Sequence, residues 1–489
     1  MLPLLAVSLG YFMVILDATV VNVALPSLGR DLGGGVSELQ WVVDGYTLVF
    51  AGLLLSGGSL GDILGGRRVF EGGLWLFTLA SGACALAPSV PTLVAARLLQ
   101  GLGAALLVPS SLALLRAAYP DPAERARAVG VWGAVAGVAA ASGPIVGGGL
   151  VAAFDWRAVF FVNVPIGLVA LLLAARHLPP RAEAASTGLD PAGQLTGVLA
   201  LSLLVFGLIE GGDHGWSSAP AIVPLALFPF ALAAFIAVEV RASRPMLPLA
   251  LFRSHTFSGS SFVGLAINLG FYGQLFVISL YFQHVRGYSA LLTGLALLPM
   301  GVFVALSSAL SGKVTGRIGP RRPMLIGLTI AGIGFLGLIA AGAHTSYAVL
   351  VGPLVAIGFG MAFTMPAATA AIIEAAPADR AGIASGVLNA SRQAGGAIGV
   401  ALLGTLVESG PFVSGLHVAM AVAAGAFFVA AGIATVTVER AGRITEWRFL
   451  VRQGQLKRHS RSEPGQRVVS RAVCSPARSS TSGPSCSAR

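Results

Sequence analysis

The sequence predicts an all-α polytopic membrane protein of fourteen transmembrane helices, arranged as two six-helix bundles with two further helices between them. Three observations carry that expectation. Mean hydropathy is +0.84, with 55% hydrophobic and only 10% charged residues, which excludes an ordinary soluble protein. Apolar runs of spanning length recur, centred near residues 14, 51, 79, 104, 138, 167, 201, 229, 269, 300, 332, 359, 394 and 426. A glycine-rich basic turn, Gly58 to Arg68, recurs as Gly312 to Arg322, and the shared pattern Gly-x6-Gly-x-Arg-Arg implies a duplicated bundle.

The first apolar run is too long for a cleavable signal core and lacks a basic start, so it reads as a span. Within it stands Asp17, far from either polar flank, followed by Asn22. The second run begins beside Trp41, Asp44 and Tyr46 and leaves through the first basic turn, with Asp62 and Glu71 among its charges. The fourth, residues 93–109, carries Arg97 and Gln100 just before Gly101 and Gly103. The fifth contains Ser142, Gly143, Pro144, Gly147 and Gly148. Residues 181–193 have linker composition and follow the first half. Spans seven and eight come next, and Pro245 and Pro248 mark the connection into the second half.

These boundaries give an N-terminal bundle over 1–180, a linker with two inserted helices over 181–248 and a C-terminal bundle over 249–439. Residues 440–489 form a basic tail of Arg, Ser, Gln, Gly and Pro with the composition of a disordered segment. The net charge is +11, but 11 of the 31 Lys and Arg follow Glu439, so the excess belongs largely to that tail and implies no nucleic-acid partner. Alternate loops hold fifteen basic residues on one side, against Arg30, Arg157 and Arg286 on the other. That bias places the basic side, and with it both termini, in the cytoplasm. The glycine content, 64 residues, suits close packing of membrane helices. Cys84, Cys474 and Cys486 show neither metal spacing nor a disulfide framework.

Arg97 and Asp17 are the groups through which chemistry is expected. An arginine in hydrocarbon either snorkels to a headgroup, sits in a purely structural pair, or faces a polar cleft with an acid on another helix. Asp17 is the expected partner, and a carboxylate kept in so dry a place can gain and lose a proton as its surroundings change. Asn22 lies about 140° from Asp17 at 100° per residue and so on another helix face. Asp44 reads equally as an interfacial residue or as part of a translocation path, and Tyr46 and Trp41 as members of an aromatic belt. Pro144 removes a backbone hydrogen bond, and Gly143 and Gly147 present a smooth face; together they suit either a rocking interface or a static kink.

Several stretches resemble the major facilitator superfamily, specifically its fourteen-spanner drug:proton antiporters. They are residues 16–26 (the first-helix motif), 58–68 (motif A), 93–105 (motif B) and 139–148 (motif C), joined by 155–165 and by 385–396 with Asn389 and Arg392. The resemblance implies that Asp17 and Arg97, with Asn22, Asp44 and Gln100 near them, serve proton coupling and translocation. It also implies that Gly143, Pro144, Gly147 and Gly148 shape an alternating-access hinge. Gly58, Asp62, Gly65, Arg67 and Arg68 would form a cytoplasmic gate, in which Asp62 and the two arginines steady the closed state. Ile63 and Gly66 stand where motif A usually has basic residues, and Ala139 replaces the first glycine of motif C.

The expected function is proton-coupled efflux of lipophilic drugs or antibiotics across the plasma membrane by a monomer. Its partners are the lipid bilayer, protons and a small lipophilic substrate, for which Asp17 and Asp44 suit a cation. No cofactor or metal is expected, the proton being the coupling ion. A proton-coupled importer or facilitator of a small metabolite on the same fold, and a non-transporting membrane sensor, are the alternatives. The sequence holds no nucleophile elbow, phosphate loop or metal-ligand cluster, so no enzyme is expected.

Overall fold

In the computed structural model, residues 2–178, 188–377 and 380–439 are described. The tail expected over 440–489, and most of the first linker, lie outside them. All regular structure among the described residues is helical. The first half comprises α1 (Leu2–Leu32), α2 (Val36–Leu64), α3 (Gly66–Ala85), α4 (Val90–Ala118), α5 (Pro122–Ala153) and the short α6 (Ala158–Phe161), which runs on into α7 (Asn163–His177). A hairpin follows, α8 (Pro191–Asp213) and α9 (Ala219–Arg241). The second half comprises α10 (His255–Leu280), α11 (Ala290–Ile318), α12 (Arg321–Gly337), α13 (Tyr347–Ala375), α14 (Ala381–Glu408) and α15 (Phe412–Thr437).

Among the described residues, twelve spans are long and apolar enough to cross a membrane. The two remaining long helices are α3, which opens with Arg67, Arg68 and Glu71, and α14, diluted by Gly and Ser around Asn389 and Arg392. The apolar runs read from the sequence therefore all appear as helices, and those two carry polar cargo that lowers their hydropathy.

The packing repeats between the halves. Helix α1 packs on α4, α5 and α7, as α10 packs on α13, α14 and α15; α4 sits on α2 and α3, as α13 sits on α11 and α12. The two basic turns are copies of one device. Gly65 and Gly319, 254 positions apart in the chain, both take positive φ (94° and 78°), which an L side chain resists, and so end α2 and α11. Two residues on, Arg67 donates to the carbonyls of Ala175 (2.7 Å) and Leu178 (2.9 Å) at the end of α7. Arg321 donates to the carbonyl of Thr435 at the end of α15. Unpaired carbonyls at a helix C-terminus attract a cation, and each half uses that attraction to fasten its third helix to its last.

The halves meet through α5 against α11 and α2 against α14. One end, bearing the α1–α2 and α10–α11 turns, is tightly joined. Gln40 Nε2 donates to the carbonyls of Val400 (3.0 Å) and Ala401 (2.8 Å), Ser37 Oγ to Glu408 (2.9 Å), and Gln283 Nε2 to Val23 (2.9 Å). Apolar side chains of both halves form one continuous core there, whereas toward the basic end the clusters are separate. Along α5 the change is abrupt. A Cβ on Gly148 would lie 2.5 Å from the Ala290 carbonyl of α11, yet Gly130, Gly133 and Gly137 have no atom within 4 Å of that position. The α5–α11 side is thus open at the basic end. The α2–α14 side is covered by α8, which carries Val205 and Ile209 against Leu48, Ala397 and Ala401. Helix α9 packs outside α8, with Phe230 and Val240 exposed.

The contrast along α5 and α11 is measurable. Gly301→Val puts a Cβ about 2.7 Å from the Ala141 carbonyl and should destabilise the protein by about 1–3 kcal/mol, the usual cost of overpacking. Gly312→Ala, with nothing within 4 Å, should be neutral or stabilising by up to about 1 kcal/mol through helix propensity. Thermal unfolding in detergent distinguishes the two.

Candidate functional site

Asp17 and Arg97 are both fully buried and form an ion pair between Asp17 Oδ2 and Arg97 Nη1, joining α1 to α4. The pair is held by four more elements. Asp17 Oδ1 accepts from Gln100 Nε2 (2.8 Å) and from Asn163 Nδ2 (2.9 Å) at the start of α7. Arg97 Nη1 also donates to Gln100 Oε1 (2.7 Å), and Nε to the Val42 carbonyl of α2 (2.9 Å). Gln100 Nε2 reaches Ser81 Oγ of α3 at 2.8 Å. The guanidinium lies 4.3 Å from the centre of the Tyr46 ring and 5.7 Å from that of Phe160 on α6. Tyr46 is anchored in turn by its hydroxyl, which donates to the Val14 carbonyl (3.1 Å). Arg97 and Gln100 share a face because they are three residues apart on α4. Gly101 lets α4 come close enough to α2 for this contact: a Cβ there would lie 2.5 Å from the Tyr46 carbonyl.

The other residues singled out in the sequence lie elsewhere. Asn22 is buried but donates to Ala18 (3.1 Å) and Thr19 (3.5 Å) of its own helix, so it is not part of the Asp17 network. Its position five residues on turns it away. Asp44 is fully buried rather than interfacial, and neither carboxylate oxygen has a hydrogen-bond partner. It sits one turn from Gln40, which bonds α14, and one turn from Thr47, whose methyl lies 3.7 Å from the Cβ position of Gly396. The face that Asp44 occupies on α2 is therefore the seam between the halves. Tyr46 is core rather than belt, while Trp41 meets Phe206 of α8 at 5.7 Å between ring centres.

In the first basic turn, Asp62 and the arginines are not brought together. Arg67 Nε pairs with Glu71 (2.8 Å), its other nitrogens being committed to α7, and Arg68 is exposed. Asp62 instead feels the charge of Arg116 on α4, whose Nη1 lies 3.2 Å from the Cβ position of Gly382 on α14. The reversal at Gly65 is the reason: it aims the start of α3 at the α7 terminus and away from the last turn of α2. Gly58 is half-buried beside Pro109. On α5, Gly143 and Gly147 face α1, where a side chain would meet Thr19 and Val20, and Gly148 faces α11. Pro144 offers its carbonyl to the close approach of Gly294 on α11. The motif C face is thus divided between an in-half and a cross-half contact. Asn389 and Arg392 are half-buried on α14, with Arg392 Nη1 donating to Asn389 Oδ1 at 3.2 Å.

Sequence reading did not assign Asn163 or Ser81 to the Asp17 network. Asn163 is a polar residue opening an apolar run, which is a usable signal; Ser81 in a mixed segment offers none. Among the described residues no group of three His, Cys, Asp or Glu is placed to hold a metal ion.

The family model described as the Major Facilitator Superfamily matches residues 7–400, and the chain belongs to that superfamily. It is 41% identical over 409 residues to the multidrug resistance protein Stp of Mycobacterium tuberculosis, covering 84% of this chain and 76% of that protein. It is 38% identical over 404 residues to the methylenomycin A resistance protein of Streptomyces coelicolor, covering 83% of this chain and 85% of that protein. Among solved structures, the peptide transporter POT in complex with sulfate aligns with a TM-score of 0.68 over 90% of this chain and 94% of that one. At 17% identity this is a likeness of fold alone.

The network makes a stability prediction. Arg97→Ala strands a buried carboxylate and should cost about 3–5 kcal/mol, and Asn163→Ala about 1.5–3 kcal/mol for one lost bond to a charge. The double variant Asp17→Asn/Arg97→Gln should cost less than the sum of its single changes, because neither charge is left alone. Unfolding of the purified variants in detergent reads all three.

Proposed function

We propose that the chain exports small lipophilic drugs or antibiotics from the cytoplasm in exchange for protons, by alternating access between two six-helix halves. The observation that carries this reading is the buried Asp17–Arg97 pair with its four supporting elements. Charges cost so much in an apolar bundle that their presence there marks a working part. The names of relatives near 40% identity, which are resistance and export proteins, support the outward direction.

On this reading α3 and α14 also cross the bilayer, making fourteen spans, and the protein is a fourteen-spanner antiporter of the plasma membrane. The basic end and both termini face the cytoplasm, so the opening between α5 and α11 faces inward. The coupling follows from the network. While Asp17 is charged, three side-chain donors are satisfied on it. A proton on Asp17 leaves Arg97 without its counter-charge, and relief requires α1, α4 and α7 to shift relative to one another. Asp44, sealed in the α2–α14 seam, is a second buried carboxylate, which opening of that seam would bring to water. The seam must part at its tight end for outward release, breaking the Gln40 and Ser37 bonds to α14 while the glycine faces of α5 roll on α1 and α11.

The test is transport into everted vesicles under an imposed pH gradient, acid inside, with a panel of fluorescent lipophilic compounds of both charges. Vesicles bearing the chain should accumulate at least one compound, and Asp17→Asn should abolish the gradient-driven part. Uptake unchanged by Asp17→Asn would contradict the coupling role.

A further inference from the structure

Among the described residues five buried nitrogen donors have no acceptor: Arg97 Nη2, Gln274 Nε2 on α10, and three that cluster around one set of rings, Trp132 Nε1 on α5, Asn268 Nδ2 on α10 and Arg392 Nε on α14. Buried donors are almost always paired, so three orphans in one region call for a partner that the protein does not supply. Aromatic rings lie among them. Tyr11 of α1 stacks on Trp132 with ring centres 3.9 Å apart and planes 8° from parallel. Arg392 acts electrostatically on both Tyr11 and Tyr272 of α10, and the two tyrosines act on each other. The Tyr272 ring stands 3.1 Å from the Cβ position of Gly396, and the Arg392 Cγ stands 3.2 Å from that of Gly264. Asn268 lies midway between Gly264 and Tyr272 on α10, one turn from each, and so faces the same stretch of α14.

This cluster draws on both halves and lies where they part. Trp132 lies on the face of α5 that meets α1, and Ala390 of α14 packs against the cluster that contains Tyr11 and Trp132. Residues 389–394 of α14 are all half-buried, whichever way they point around the helix. Among the described residues Arg392 makes no ion pair of the kind that joins Arg97 to Asp17. Its charge is therefore of a different kind from that of Arg97, which has Asp17 as its counter-ion.

We infer that Tyr11, Trp132, Asn268, Tyr272 and Arg392 form the substrate site, and that it takes a planar aromatic compound bearing a carboxylate or phenolate oxygen. Its ring stacks against Trp132 or Tyr11, and its oxygens accept from Arg392 and Asn268. Stacking suits a flat ring, a guanidinium with no ion-pair partner among the described residues suits an anion, and the unpaired donors of Asn268 and Arg392 suit oxygen. The inference rests on the reading of the inter-half space as the path of transport, and it departs from the cation that Asp17 and Asp44 suit.

The experiment is equilibrium binding to the purified full chain in nanodiscs without a pH gradient, using fluorescence polarisation of 1-hydroxy-2-naphthoate and of ethidium. The naphthoate should bind saturably. Arg392→Gln should weaken it at least tenfold, Arg392→Lys should restore part of the loss, and Trp132→Ala should weaken it severalfold. Asn268→Ala, judged alongside thermal unfolding, serves if the arginine variants fail to fold. Absence of naphthoate binding, ethidium binding more tightly, or a naphthoate Kd within twofold of the parent in well-folded Arg392→Gln and Asn268→Ala would overturn the site. If ethidium alone is driven into everted vesicles by the pH gradient, the site falls and the efflux reading stands. If naphthoate binding depends on Arg392 but no gradient-driven movement occurs, the site stands and the efflux reading falls.

Discussion

Everything in the first half is arranged around one requirement: a guanidinium and a carboxylate excluded from water must be wholly satisfied by protein. An unmatched charge in that setting costs more than most folded states can spare. Asp17, and Arg97 through Nε and Nη1, approach the requirement by recruiting a side chain or carbonyl from α2, α3, α4 and α7 and an aromatic face from Tyr46, leaving one guanidinium nitrogen, Nη2, without an acceptor. Each recruit fixes the register of its helix. The pair is thus a structural hub, and the proposed coupling role follows from the same arrangement: a change of charge there would disturb every helix it registers.

Among the described residues the second half has no counterpart to that hub. Its mid-helix arginine, Arg392, bonds there to Asn389 of its own helix, although the packing of the two halves is otherwise duplicated down to the arginine that clamps the last helix of each. Duplication supplied the frame, and divergence separated the tasks. One half holds a closed charge network, and the other presents an open one to the space between them.

Much of this was legible in the chain. Long apolar runs can satisfy their backbone only as helices in a membrane, so their number and positions followed from hydropathy. The Gly-x6-Gly-x-Arg-Arg repeat foretold two equivalent turns because each needs a positive φ and a cation at a fixed interval. The Asp17–Arg97 contact was foreseeable because a lone charge in oil needs its opposite. What was not legible depends on which helix faces which. Arg67 engages the α7 carbonyls rather than Asp62, and no local signal names a backbone carbonyl more than a hundred residues away. Asp44 reads as interfacial by depth along α2, and only the approach of α14 reveals that it is enclosed. The Tyr11–Trp132 stack joins residues of two helices whose facing sides have no sequence periodicity to betray them.

Helix α8 bonds α2 near one end, where Gln194 donates to the Gly52 carbonyl (2.5 Å), and bonds α14 near the other, where Thr405 donates to the Leu208 carbonyl (2.8 Å). It is a strut of 23 residues, roughly 35 Å long at 1.5 Å per residue, hydrogen-bonded near one tip to α2 and near the other to α14, where Val205 and Ile209 also pack on Leu48 of α2. A rigid strut fastened this way resists separation of α2 from α14 at both tips together but tolerates swivelling about either. Swings of one half against the other are therefore channelled into tilting of the strut, and the larger excursion falls to the unbraced flank of the molecule.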